Sequence, residues 1–298
     1  MTYLETLTME ALDVKSLEVL QKLVRNDKEA TQAKLDAATP RIMEMLSPEE
    51  INGHVLQVYD ETCGAYVKTP HNQGIIGELI EFMDKLPDGA EVLDIGCGPG
   101  RDALFMALND VDFRFSQMKR VQNGKMIINV HPIPTKTLKA YAMDNSIEMI
   151  GEAMGWRAEL NNIAGKNYIS KSRYPFFFLG DIYNDLSTYL PYGCKMGKFD
   201  GAWSCAALFT HTPKGMIDAA LKNVSAALKN GGVFFTSYTT RPPETGGYDK
   251  LLISSTGRIK YFSHPTPDEI ARPARKLGLK LTSESQNDIF VSQFYVKE

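Results

Sequence analysis

Three glycines at alternate positions, Gly96, Gly98 and Gly100, follow directly on the apolar run Glu91–Ile95. They precede Ala103-Leu104-Phe105-Met106-Ala107, which reads as the opening of a helix. Glycines at a strand-to-helix turn tolerate φ > 0 and let a ligand approach the backbone with no Cβ in the way. Cys97 lies inside this loop and Asp94 stands two residues before its first glycine. Such residues make a cradle for a small ligand with a carboxylate beside it. A dinucleotide fingerprint requires G-x-G-x-x-G, and Arg101 occupies the position of its third glycine; the P-loop pattern G-x-x-x-x-G-K-[ST] is also absent. The spacing therefore points away from pyrophosphate recognition.

Further polar residues fall at the ends of strand-like runs. Asp144 and Asn145 follow Lys139–Met143, Asp181 and Ile182 follow Tyr174–Leu179, and Ser204 closes Phe199–Ser204. Ligands of doubly wound sheets bind beyond the carboxyl ends of the strands, so these residues are candidates for one shared cleft. Taken singly, each acid reads equally as a helix cap or a solvated charge. His211 follows Leu208-Phe209-Thr210, and an ordinary pKa of about 6.5 would let it accept a proton near neutrality. A structural cap on the next helix is its alternative role. Tyr59, Tyr66 and Tyr238 are candidate substrate contacts, with a core-aromatic role as the alternative, and His264 is a weaker candidate. Cys63, Cys97, Cys194 and Cys205 form no C-x-x-C pair. Neither a metal site nor a disulfide framework is expected, and four free thiols suit a reducing cytoplasm.

The elements that position these residues follow from periodicity. Val14, Leu17, Leu20 and Val24 recur at helical spacing, and Ala30 to Leu46 continues with good helix formers apart from Pro40. This stretch reads as a helical N-terminal cap. A further helix is predicted from about Gln73 to Leu86, ending at Pro87-Asp88-Gly89. Strand-like runs at Glu91–Ile95, Lys139–Met143, Tyr174–Leu179, Phe199–Ser204 and Val233–Tyr238 then alternate with helical stretches such as Ser146–Trp156 and Lys214–Lys229. That alternation predicts an α/β fold with a mostly parallel sheet and helices on both faces. Thr266–Leu277 reads as a helix with Pro267 in its first turn and Pro273 as a kink point. Leu279–Glu284 and Ile289–Val296 read as a closing antiparallel C-terminal hairpin around Gln286-Asn287-Asp288.

One segment departs from this plan. A ribose-binding acid usually follows its glycine loop by about 20 residues, yet Asp94 and Asp144 are 50 apart. The excess contains two alternating runs, Val111–Met118 and Lys125–Val130, around Gln122-Asn123-Gly124. Asn-Gly between such runs predicts an inserted β-hairpin within about 111–138. From Val111 to Lys139 the chain holds Arg114, Lys119, Arg120, Lys125, Lys136 and Lys139 against Asp112 alone. The insertion is either a solvated surface hairpin or a subunit-contact or substrate-facing element.

In bulk the chain has 298 residues, 43% hydrophobic and 23% charged, with a formal charge of −3. This composition suits a globular protein and supplies no general attraction to nucleic acid. No run of 18 apolar residues suggests a membrane helix, and Met1 to Leu20 has no apolar core of a secretory signal.

From about Tyr59 to the C-terminus the ordered set of motifs resembles the class I methyltransferases that use S-adenosyl-L-methionine (SAM), in their small-molecule branch. The resemblance implies a Rossmann-like seven-stranded sheet, with residues 1–70 as a cap or lid and 71–298 as the SAM-binding domain. It implies that Asp94, Gly96, Cys97, Gly98 and Gly100 form the methionine-side loop, the acid helping to hold the ammonium directly or through water. Asp144 and Asn145 would serve the ribose, Asp181 and Ile182 the adenine, and Ser204 the methionine moiety. Tyr59 and Tyr66 match the segment where a tyrosine closes over SAM, and His211 the place of a substrate-pocket residue. No N-P-P-[YF] run follows the fourth strand, where Ser204-Cys205-Ala206-Ala207 stands instead, which argues against the amine methylation that uses that motif. The expected activity is methyl transfer to a small metabolite, yielding S-adenosyl-L-homocysteine. Two alternatives remain open: an RNA or DNA methyltransferase using the basic insertion, and a SAM-binding partner protein that transfers nothing.

Overall fold

The computed structural model describes residues 28–68, 76–108, 119–122, 125–128, 134–164, 174–191, 195–240, 248–287 and 290–298. Helices α1 (Lys28–Met45), α2 (Pro48–Lys68) and α3 (Ile76–Asp84) come first, followed by β1 (Glu91–Ile95) and α4 (Arg101–Ala107). Next come β2 (Lys119–Gln122), β3 (Lys125–Ile128), β4 (Lys139–Asp144), α5 (Ile147–Ala164), β5 (Phe176–Leu179) and β6 (Phe199–Cys205). The chain continues through α6 (Ile217–Ala227), β7 (Leu228–Thr239), β8 (Asp249–Ile253) and β9 (Ile259–Ser263). It closes with α7 (Pro267–Lys276), β10 (Leu279–Gln286) and β11 (Phe290–Lys297).

Seven strands form one sheet in the order β10-β11-β7-β6-β1-β4-β5. Strands β5, β4, β1, β6 and β7 run parallel, whereas β11 is antiparallel to both β7 and β10. The period of two sorts the core onto two faces. Val92, Ala142, Trp203 and Phe235 point toward α3, α4 and α5, while Leu93, Tyr141, Ala202 and Phe234 point toward α6 and α7. Both faces are apolar, so the central strands lack the polar alternation of a half-exposed sheet. The predicted α/β architecture, parallel core and C-terminal hairpin all stand.

Several boundaries differ from expectation for local reasons. The helix expected over Lys214–Lys229 begins with a 3₁₀ turn, Lys214–Met216, and ends at Ala227. Leu228 already pairs with Phe199, and the register then jumps to Gly201↔Val233, so residues 229–232 bulge out with Gly231 at φ 79°. Helix α7, by contrast, keeps its expected span, running through Pro273 to Lys276 from a capping box between Thr266 and Glu269. In the insertion, β2 and β3 pair antiparallel with Gln122 opposite Lys125, a register that allows only a two-residue connection. Gln122 is therefore a strand residue and not part of the turn. The first expected strand, Val111–Met118, lies outside the described residues, as do the helical run Val14–Val24, the start of the Gln73 helix, Asn123-Gly124 and Cys194.

A further hairpin was not anticipated. Strands β8 and β9 pair antiparallel, closed by a turn in which Gly257 N–H donates to Ser254 C=O at 2.9 Å with Gly257 at φ 77°. This hairpin packs on the N-terminal helices. Leu251, Ile259 and Tyr261 share a buried cluster with Leu35, Ile42, Ile51 and Val55. Gln32 ties α1 to β8 twice, donating to Leu251 C=O (3.0 Å) and accepting from Ile253 N–H (3.1 Å). The N-terminal helices and this hairpin thus form one packed unit from two parts of the chain that are far apart in sequence.

Candidate functional site

The glycine loop is held to the end of β4 by backbone bonds. Gly96 N–H and Cys97 N–H both donate to Met143 C=O, at 2.9 and 3.0 Å, and Gly98 N–H donates to Asp144 Oδ2 at 2.9 Å. All three glycines have positive φ (69°, 52° and 85°), but they answer to different neighbours. A Cβ on Gly96 would lie 2.5 Å from Ala207 Cβ, and one on Gly100 would lie 2.6 Å from the Phe177 ring. A Cβ on Gly98 would meet nothing within 4 Å. Gly98 alone faces open space.

That space is a cleft at the carboxyl ends of β1, β4, β5 and β6, with about 760 Å³ of empty volume counted out into open solvent. Of the residues expected from sequence, Gly96, Gly98, Asp144, Asn145, Asp181, Ile182, Tyr59, Tyr66 and His211 line it. Asp144 accepts from Gly98 N–H through one oxygen and from Ser146 N–H (2.9 Å) through the other, which leaves further lone pairs on both. Burial, with Asp60 nearby, raises its pKa, against the lowering effect of those N–H groups. Asp181 is similarly engaged, by Tyr183 N–H at 2.9 Å and the Asn184 side chain at 3.0 Å, and burial raises its pKa.

Five expected residues lie outside this wall. Cys97 and Gly100 belong to the loop's packing side, and burial drives the Cys97 thiol upward. Asp94 is only 2% exposed, behind the loop on the α4 face; its Oδ2 has no hydrogen-bond partner among the described residues. Burial and the adjacent Asp102 raise its pKa well above the carboxylate range. Ser204 is fully buried and accepts from Leu208 N–H at 3.1 Å, capping the turn after β6. Tyr238 is a core residue whose hydroxyl donates to Gln293 Oε1 at 2.9 Å. The residues of that strand end that do reach the cavity are Cys205, Ala206 and Ala207. Ala206 is the non-glycine residue at positive φ (50°) among those described, a strained backbone of the kind that clusters at ligand sites.

His211 is fixed in one tautomer. Its Nδ1–H donates to Tyr261 C=O at 2.8 Å, so Nε2 accepts the Tyr59 hydroxyl, also at 2.8 Å. Burial and the Lys260 charge hold His211 well below the usual histidine pKa, and burial pushes Tyr59 well above the usual phenol value. Both residues are neutral near pH 7. Lys260 Nζ sits 4.0 Å from the Tyr59 ring centroid. Tyr59, Tyr66, Ala206 and His211 also wall a second cavity of about 700 Å³ that continues under β9 to Lys260. Sequence reading missed Lys260, Thr210 and Asn52. The apolar runs on either side of Ser254-Ser255-Thr256-Gly257 were the available signal for the hairpin that carries Lys260.

No family model and no curated protein sequence matches the chain. Solved structures do. A SAM-dependent methyltransferase from Methanosarcina mazei superposes with a TM-score of 0.50 at 15% identity, over 72% of this chain and 95% of that one. The 1,6-didemethyltoxoflavin-N1-methyltransferase of Burkholderia thailandensis, solved with 1,6-didemethyltoxoflavin and S-adenosylhomocysteine, superposes with a TM-score of 0.53 at 16% identity, over 85% and 91%. Sheet order, strand direction and these likenesses agree: the chain has the Rossmann-like fold of the class I SAM-dependent methyltransferases.

Proposed function

We propose that the chain binds SAM in the first cavity and transfers its methyl group to a small-molecule acceptor. One observation carries this reading: the loop glycine with open space before it shares a cavity with two half-buried acids at successive strand ends, Asp144 and Asp181. The free lone pairs of Asp144 suit a ribose diol, because unmatched hydroxyls are costly to bury. Asp181 and Ile182 suit an adenine amino group and ring. Asp94, buried behind the loop and outside the cavity wall, acts on the ammonium only through the loop; its Oδ2 has no hydrogen-bond partner among the described residues.

SAM supplies an activated methyl carbon, so the protein contributes alignment and exclusion of water. The cap closes the site with Tyr59 and Tyr66 from α2. Where the acceptor arrives protonated, Tyr59 takes its proton and passes its own to His211 Nε2. His211 thus works through Tyr59 as the general base. Residues 1–70 serve as the cap of a domain spanning 71–298, and the free thiols of Cys63, Cys97 and Cys205 suit a cytoplasmic enzyme. No helix among the described residues is long and apolar enough to cross a membrane.

The test is calorimetry with SAM followed by a metabolite screen for methylated product. Failure to bind SAM at high micromolar concentration defeats the reading. Binding with no product across the screen favours a non-catalytic partner protein, and salt-sensitive RNA binding favours the nucleic-acid alternative.

A further inference from the structure

The two cavities differ in charge. Asp144 and Asp181 line the first, whose wall contains no lysine or arginine among the described residues. The second is lined by Lys260 with Thr210, Phe262, Phe290 and the hydroxyls of residues 254–256. Lys260 is only 8% exposed. Among the described residues no carboxylate lies within ion-pair distance of its Nζ, which rests on the ring faces of Tyr59 and Phe262 at 4.0 and 5.0 Å. Thr210 is 3% exposed, and its Oγ1 has no hydrogen-bond partner among the described residues. Lysine is almost never this buried without a counter-charge, and an uncompensated buried charge is strongly destabilising. Lys260, with ring contacts but no ion pair among the described residues, and Thr210 thus line one cavity with groups suited to an anion.

Resting on the methyl-transfer reading, we propose that the second cavity is the oxyanion subsite of the acceptor. There Lys260 Nζ and the Thr210 hydroxyl receive a carboxylate or phosphate group of a substrate with an apolar body. Tyr59, Tyr66, Ala206 and His211 border both cavities, so the substrate reaches from Lys260 past these side chains to the first cavity. Charge sets its orientation: the anionic end is repelled by Asp144 and Asp181, so the uncharged end faces the methyl donor. Burial lowers Lys260 to about 7, and a bound anion restores the proton.

The experiment uses the full chain saturated with S-adenosylhomocysteine. Inorganic phosphate, small aromatic and aliphatic carboxylates, and phosphate monoesters are each paired with a neutral amide or alcohol and screened by thermal shift, then by calorimetry. The expected result is that anionic members bind and their neutral partners do not. Affinity should fall tenfold or more in Lys260→Met, recover in large part in Lys260→Arg, and fall less in Thr210→Val. The phosphate and carboxylate arms show which oxyanion is preferred. S-adenosylhomocysteine affinity should be unchanged in all three variants, which certifies their folding. Hits that are mainly neutral, anionic hits that bind Lys260→Met equally well, or no anionic hit at all would overturn the subsite while leaving SAM binding intact. Loss of S-adenosylhomocysteine binding by the unmodified chain would instead defeat the underlying reading.

Discussion

Gly96, Gly98 and Gly100 share a positive φ, but the first and last are also fixed by side chains 2.5–2.6 Å from a notional Cβ, whereas a Cβ on Gly98 would meet nothing within 4 Å. Holding an L-residue in the left-handed region costs roughly 1–2 kcal/mol. Gly98→Ala is therefore expected to lose about that much stability and, by adding a methyl group to the cavity, to weaken S-adenosylhomocysteine about tenfold. Gly96→Ala and Gly100→Ala should lose more stability, because Ala207 or Phe177 must move as well. Urea denaturation and calorimetry give the ordering, and a Gly98→Ala protein that binds normally would remove the loop from the site. At Lys260 the sign of the pH effect is fixed. The unfolded lysine titrates near 10.5 and the folded one near 7, so between those values the unfolded chain holds more protons and stability rises with pH. Lys260→Met should thus be more stable than the parent at pH 7, by about 1–4 kcal/mol, with the gap closing toward pH 9.5. Its facing groups do not blur that window: His211 on the turn after β6 titrates below it and Tyr59 on α2 above it. A gap that stays constant with pH would refute the assignment.

At the scale of elements, the cap depends on a partnership that sequence periodicity did not reveal. Gln32 on α1 serves both a carbonyl and an N–H of β8, His54 Nε2–H on α2 donates to Ile259 C=O at 3.1 Å, and Arg258 pairs with Glu61. Gln32→Ala strands two backbone groups of β8 and should cost about 1–3 kcal/mol. Hydrogen exchange should then speed up in α1 and β8 together, with β1, β4 and β6 unaffected. Faster exchange in α1 alone would separate the two elements. The Tyr59–His211 bond joins the same cap to the turn after β6. Tyr59→Phe and His211→Ala are each expected to lower kcat about 100-fold or more if the acceptor loses a proton, with SAM affinity retained. The strands and helices around the glycine loop were legible because their signals are local: period two, period 3.6, and glycine where φ is positive. The β8–β9 hairpin had similar signals, but its role came from packing against helices some 200 residues earlier, with Gln32 and Leu251 separated by 219 positions.

For the whole molecule, the described walls of both cavities take no residue from the insertion between α4 and β4. Lys136 on its far side is anchored to Asp84 and Leu86 carbonyls at 3.0 and 2.8 Å. Deleting residues 111–134 is accordingly expected to leave S-adenosylhomocysteine affinity within about threefold. A tenfold loss would show that the insertion supports the cofactor side. Unchanged turnover and oligomeric state would reduce it to a solvated surface hairpin. The sequence by itself determined the parallel core, the loop at the end of β1, and the acids at the ends of β4 and β5. Each is specified by short-range patterning that any structure must respect. Only the tertiary structure decided that Asp94, Ser204 and Tyr238 lie outside the cavity wall. It also set the tautomer of His211 and left a buried lysine with no counter-charge among the described residues. Those properties depend on which distant surfaces close on one another, and a buried charge becomes costly only when solvent is excluded from every side.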